Sequence, residues 1–252
     1  MESKNKTIWV TGIISLVVLV VAVTALLVFN PFTNTSNTIN VQGVGEVKAN
    51  PDIISVYFNI DTKGVNASEA SDKNSKIYDQ LISSLIALGF NENEIVTLSY
   101  NVYEDFIWTG VYQKSNGFRA VHTIKLELSG NKMTLISKVV DSGIDSGASV
   151  NSINFELSIA KQNEYKAQAM KLAAEDAKMK AEALASGFGK KVGKLVSVNM
   201  NEFGYMPWNV YSSSGGILSV AMESANAKQA ASNIQPGPQD VSVSVTAVYK
   251  IR

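Results

Sequence analysis

Hydrophobic and polar residues alternate without a break between Asp52 and Thr62, where Ile54, Val56, Phe58 and Ile60 take turns with Ser55, Tyr57, Asn59 and Asp61. A period of two marks a strand with one buried face. Val241, Val243, Val245, Ala247, Tyr249 and Ile251 repeat the pattern at the other end of the sequence. Weaker signals predict strands at Ile39 to Gly45, Thr97 to Phe106, Phe118 to Leu128, Ser149 to Ile159 and Leu195 to Met200. The glycines of Gly43-Val44-Gly45 read as a bulge or twist in the first of these. Ile107 to Gly117 reads as a hairpin connection with a wide tip.

Elsewhere the period changes to that of a helix. Ala70, Ile77, Leu81, Leu85 and Leu88 predict one helix, capped by Ser68 and stopped by Gly89. A shorter one spans Lys132 to Ser142. The longest lies within Asn163 to Gly193, with Asn163 as its N-cap and Gly187 or Gly189 as its C-cap. Tyr165, Met170, Ala173, Ala177, Ala181, Leu184 and Phe188 share its inward face, opposite Lys171, Glu175, Lys178 and Glu182. So much alanine lets a backbone come close, and this helix is expected to lie flat on a sheet. The element order β-β-α-β-β-α-β-α-β-β predicts an α+β domain over residues 39–252, with helices packed on one face of a largely antiparallel sheet.

Two segments break the pattern. Ile8 to Phe29 carries no charge over 22 residues. As a helix rising about 1.5 Å per residue it would match a bilayer's hydrocarbon core. Leu26, Leu27, Val28 and Phe29 stay apolar up to Asn30-Pro31, with no small-residue cleavage site, so an uncleaved anchor is expected. Lys4 and Lys6 precede this segment and no basic residue follows it until Lys48, which predicts a cytoplasmic N-terminus of residues 1–7 and a main domain outside. Residues 30–38 are polar and turn-rich, a short tether. The second exception is Glu202 to Gln239, predicted as a long loop in which Val220 to Ser232 has the composition of a marginal helix.

Composition then narrows the chemistry. There are 22 basic and 22 acidic residues, and no cysteine, in 252 residues. Beyond residue 29 the balance is 20 to 21, which as a total leaves no electrostatic footprint for nucleic acid or anionic lipid. The absence of cysteine excludes disulfides, thiolate metal sites and cysteine nucleophiles.

Several short features resemble the SIMPL-domain family, a family of unknown function common in bacterial and archaeal envelope proteins. They are Ile39-x-Val41-x-Gly43-x-Gly45 before Pro51-Asp52, and then Gly117-Phe118-Arg119-Ala120. Gly143 follows, with Ala148 and Val150, ahead of Ile153-x-Phe155. Ala167, Ala169, Ala173, Ala177, Ala181 and Ala185 around Lys180 and Leu184, leading to Gly187 and Gly193, carry most of the likeness, and Gln235-Pro236-Gly237 completes it. The resemblance implies an α+β envelope domain, often in homo-oligomers, loosely associated with stress tolerance. It carries no catalytic residues and no cofactor. Many members look secreted, whereas this chain looks anchored.

A search for reactive constellations finds none. His122 is the sole histidine, so histidine-pair metal sites are excluded; its register with Ala120 and Ile124 makes it a hydrogen-bonded core residue. Gly43-Val44-Gly45 is no dinucleotide fingerprint, because Lys48 takes the third glycine's place. Asp141, Asp145, Glu92, Glu94, Glu104 and Asp105 have no EF-hand spacing and read as solvated turns. Asn34-Thr35-Ser36 and Asn66-Ala67-Ser68 are sequons. Aromatic residues in loops with few charges are more informative: Tyr103, Phe106, Trp108 and Tyr112 at the hairpin, and Phe203, Tyr205, Trp208 and Tyr211 in the long loop. Rigid rings bury large areas at low entropic cost, so these eight residues are candidates for a subunit or partner interface, or for packing on their own sheet.

The reading that follows is a membrane-anchored, outward-facing envelope protein acting as a non-catalytic assembly or binding module. It binds the membrane through Ile8 to Phe29, forms homo-oligomers and takes no nucleic acid. The rival readings are a small-ligand carrier and a protective enzyme that depends on a cofactor.

Overall fold

The computed structural model describes residues 15–24, 37–213, 220–233 and 237–252. Residues 15–24 are helical (α1), with their valines and leucines exposed and Thr24 folding its hydroxyl back onto the Val20 carbonyl at 2.8 Å. They are the described part of the expected span Ile8 to Phe29; the rest of that span, like Asn34-Thr35-Ser36, lies outside the described residues. Among the described residues no helix is long and apolar enough to cross a membrane.

The remaining elements run β1 (Thr38–Ala49), β2 (Ile53–Gly64), α2 (Ala67–Ala87), β3 (Ile95–Trp108), β4 (Gln113–Ser129), α3 (Ile136–Asp145), β5 (Ser149–Glu156), α4 (Ile159–Gly187), β6 (Val192–Gly204), β7 (Trp208–Ser212), α5 (Val220–Ser232) and β8 (Gln239–Ile251). The α+β class and antiparallel pairing agree with expectation. The order does not, because a strand and a helix fall within the predicted loop 202–239. The single sheet is also corrected: β3-β4-β2-β5-β7 form one sheet and β1-β8-β6 another.

Alternation explains the larger sheet. In the antiparallel register Ile54 opposes Leu128 and Phe155, and Val56 opposes Leu126 and Ile153. All six point to the same side, onto Leu81 and Leu85 of α2, Val139 and Val140 of α3, and Ala227 and Ala231 of α5. α2 starts two residues earlier than predicted, because Asn66, and not Ser68, accepts the Glu69 amide at 2.9 Å. The expected wide tip between β3 and β4 is a tight turn, since both strands run on until Trp108 faces Gln113. Gly110 takes a φ of +89° there, a conformation open to glycine.

α4 begins four residues before the expected cap. Ser158 is the residue that accepts the Lys161 amide, and its own amide and hydroxyl donate to the Asp52 carboxylate at 2.7 Å each. Asp52, between β1 and β2, thus fixes where the longest helix starts. The inward face of α4 is corrected as well: Ala169, Ala173, Ala177, Ala181 and Ala185 are buried, while Met170, Leu184 and Phe188 are exposed. Gly45 gives the reason for the first two. A Cβ on Gly45 would sit 2.0 Å from the Ala169 carbonyl oxygen and 2.5 Å from the Ala173 nitrogen. Helix backbone lies directly on strand backbone, and that close approach, not a bulge, is why glycine stands at position 45. The Val44 amide adds a hydrogen bond to Asp176 at 2.8 Å.

The chain divides into two compact units. One holds residues 44–176 and 200–245, and so the larger sheet; the other holds the described residues 15–24 and 37–43 with 177–199 and 246–252.

A candidate assembly surface on β3 and its turn

β3 is the outermost strand of the larger sheet, paired with β4 on one side and with no strand of the described residues on the other. Its 14 residues, Ile-Val-Thr-Leu-Ser-Tyr-Asn-Val-Tyr-Glu-Asp-Phe-Ile-Trp, include no lysine, arginine, proline or glycine. Only Ile95 is buried; Val96, Leu98, Tyr100, Val102, Tyr103, Phe106, Ile107 and Trp108 are all exposed. Proteins usually protect such an edge with charge, proline or brevity, because its unpaired amides and carbonyls template another strand. Glu104 and Asp105 are the only charges here, and two bulges, at Leu98 and at Asp105, re-aim the strand without covering it.

The turn that closes this hairpin is rigid. Thr109 binds the Tyr112 carbonyl through both its amide (3.1 Å) and its hydroxyl (2.8 Å). Trp108 is 69% exposed and Tyr112 62%, far above what a structural aromatic shows. At the hairpin base Asp105 accepts Asn116 at 2.8 Å and Lys63 at 3.1 Å, which hold its carboxyl below the usual range, in that order of weight. Arg119 forks onto the two oxygens of Asp61, which pushes its pKa up. Four of the eight aromatic candidates, Tyr103, Phe106, Trp108 and Tyr112, are therefore presented outward on a braced hairpin.

The other four make contacts within their own unit, although Trp208 stays 41% exposed. Tyr205 accepts the Leu157 amide at 2.6 Å and stacks on Phe203, and both rings lie against Ala49, Leu157 and Val241. Trp208 leans on Phe155 at 5.8 Å between centroids. Tyr211 donates to the Glu223 carbonyl and joins the main core. The structure brings the two quartets to different places.

Beside β3, the outward side of α2 offers Tyr78, Ile82 and Ile86 around an open cleft of about 640 Å³. Below it His122 is buried, as its register implied, between Tyr78 (4.7 Å, stacked) and Tyr100 (5.2 Å, edge-on), with Nε2 2.9 Å from the Thr97 hydroxyl. Burial lowers its pKa. Of the acidic candidates, Glu94 pairs with Lys132 (2.6 Å) and the Asn91 amide (2.7 Å), and Asp141 and Asp145 share Lys228. Among the described residues no three histidine or carboxylate side chains are placed to hold a metal. One constellation was missed from sequence. On the sheet face away from the helices Lys125 contacts Glu127 and Glu156, and Tyr57 donates to Glu156 at 3.2 Å. Burial works against its ammonium, but the two carboxylates outweigh it and raise the Lys125 pKa; burial and Glu156 raise Tyr57. Cross-strand register brings these residues together, which no linear spacing reveals.

A family model for SIMPL, described as a protein of unknown function (DUF541), matches residues 39–249. The chain belongs to the SIMPL family. The match begins within β1 and ends within β8, so it takes in both sheets and leaves α1 outside. Over 170 residues the chain is 26% identical to the uncharacterized protein YggE of Escherichia coli K12, covering 67% of this chain and 68% of that one. YggE of Edwardsiella ictaluri is 25% identical over 171 residues, 66% and 68% of the two chains. Neither name states an activity.

Proposed function

We propose that this SIMPL protein is a membrane-anchored assembly module of the cell envelope, and that copies join through the β3 edge and the aromatic turn next to it. The observation that carries this reading is the unprotected edge strand. Half of the amides on an antiparallel edge point away from the sheet, and a second copy supplies carbonyls for them along with burial for Leu98, Val102 and Trp108. The uncharged Ile8 to Phe29 segment supports the anchor, and the described residues 15–24 add an exposed apolar helix in which the Thr24 hydroxyl is satisfied internally.

The test is native mass spectrometry of the full chain released from detergent micelles, alongside Val102→Lys and Trp108→Ser. Both positions are exposed, so the fold tolerates the changes. The wild type should give a multiple of the chain mass. A lysine on the edge should weaken association at least tenfold, about 1.4 kcal/mol. An assembly mass untouched by both substitutions sinks the reading. A monomer carrying an additional non-protein mass would instead favour a ligand carrier.

A further inference from the structure

The total charge of zero conceals a steep partition. The smaller unit's described residues 37–43, 177–199 and 246–252 carry five lysines between positions 178 and 194, with Lys250 and Arg252, against Glu182 alone, a net of +6. The larger unit, residues 44–176 and 200–245, carries 13 basic and 20 acidic residues, a net of −7. Among the described residues no carboxylate pairs with Lys190, Lys191, Lys194, Lys250 or Arg252, and all five are exposed.

These cations gather at one end of the smaller sheet. Lys191 and Arg252 exchange backbone hydrogen bonds at 2.7 and 3.0 Å, and the Ile251 amide donates to the Asn37 carbonyl at 2.7 Å. Asn37 is where the chain enters β1, and neighbouring strands lie about 5 Å apart. The turn Gly187-Phe188-Gly189-Lys190-Lys191 is therefore within roughly 10 Å of the point where the tether arrives. That turn is pinned by the Lys190 amide on the Ala185 carbonyl (2.8 Å) and by Gly189 at φ +66°, and it holds Phe188 75% exposed. Phe188 and Leu184 border an open cleft of about 720 Å³ beside Val41. Asn37 lies eight positions beyond Phe29, a reach of no more than about 29 Å.

We propose that this turn, with Phe188 at its tip and Lys190, Lys191, Lys194, Lys250 and Arg252 around it, docks on the anionic phospholipid headgroups of the membrane that holds the anchor. The inference rests on the anchor reading. Basic side chains collect at an anionic surface, each strengthening the attraction, and an exposed ring between glycines inserts among the headgroups. The short tether keeps the turn at that surface, which favours lipid over a soluble polyanion or the acidic unit of a second copy.

The chain's lack of cysteine allows a single label at Ser186→Cys on the full chain, bearing a polarity-sensitive fluorophore. Reconstituted in vesicles of phosphatidylcholine with phosphatidylglycerol, the label should emit to the blue and be shielded from aqueous iodide. In phosphatidylcholine alone it should look aqueous. Lys190→Gln or Lys191→Gln should each cut the docked-to-free ratio about fivefold, and high salt should abolish docking. A label equally exposed in both vesicles, on protein that floats with them, overturns the docking and leaves the anchor standing. Protein that floats with neither vesicle overturns both. Shielding already present in detergent micelles marks a second copy as the occupant and overturns the lipid proposal.

Discussion

At the scale of single residues, His122 shows what a buried titratable group does when it is structural. Its imidazole is held by Thr97 and sandwiched by Tyr78 and Tyr100, with no carboxylate among those partners, so the folded state favours the neutral form. Burial lowers its pKa from the ordinary 6.5, and the unfolded chain therefore binds the proton more readily. Stability from this residue is complete above about pH 6.5 and declines as the pH falls below it, because the unfolded state gains protons first. His122→Gln keeps a partner for Thr97 and removes the titration. Thermal melts between about pH 8 and pH 5 should show the wild type losing Tm through that window and the variant losing less. Parallel curves would mean that His122 does not set the acid response. Its burial was legible from alternation with Ala120 and Ile124. Its partner was not, because Tyr100 opposes His122 across the bulge at Leu98 and the Thr97 hydroxyl reaches the ring from the position opposite Ile124.

At the scale of elements, α4 and β1 approach backbone to backbone at Gly45. Five alanines at intervals of four are buried along α4, a row that slants across the helix and presents backbone more than side chain. The larger apolar residues of the same helix drew the expected face toward themselves, since hydrophobic periodicity weighs size and a backbone-to-backbone contact selects against it. Gly45→Ala should cost about 1–3 kcal/mol in urea unfolding, because the atoms met by the new Cβ are main-chain atoms that cannot swing away. Gly187→Ala, in the same helix with open space around it, should change stability by less than about 0.5 kcal/mol. Equal effects at both positions would remove the contact from the account. β7 and α5 were harder to see for a different reason. Trp208–Ser212 is too short to display a period, and α5 is held by Ala227, Ala231 and Tyr211 through tertiary contact, not by strong helical pattern.

At the scale of the whole molecule, local signals and global averages behaved in opposite ways. Antiparallel α+β architecture follows from the alternation in β2, β4 and β8, where Val56, Phe58 and Ile60, Ala120 to Leu128 and Val241 to Ala247 are buried at every second position. The charge partition escaped notice because near-equal totals cancel: lysines brought together from positions 178–194 and 250 lie far apart in sequence and meet only through the pairing of β6 and β8 ends. The candidate surface was half legible. Aromatic content marked the turn, but only strand order makes β3 an edge.

That edge also predicts how protection against hydrogen exchange is distributed. β2 is central, with Val56, Phe58 and Ile60 fully buried, and its amides should exchange only through global unfolding. Among the described residues the outward-pointing amides of β3 have no strand partner, and they should exchange rapidly in a monomer. In the assembled wild type these same amides should slow by about a hundredfold, whereas in Val102→Lys they should stay fast while β2 is unchanged. This pattern separates loss of an interface from loss of the fold, because a partly unfolded variant would expose β2 and β4 as well. If Ile95–Trp108 exchanged equally fast with and without the substitution, copies would be meeting elsewhere. β6, the outer strand of the smaller sheet, with Leu195, Val196 and Val198 exposed, would then be the next surface to block.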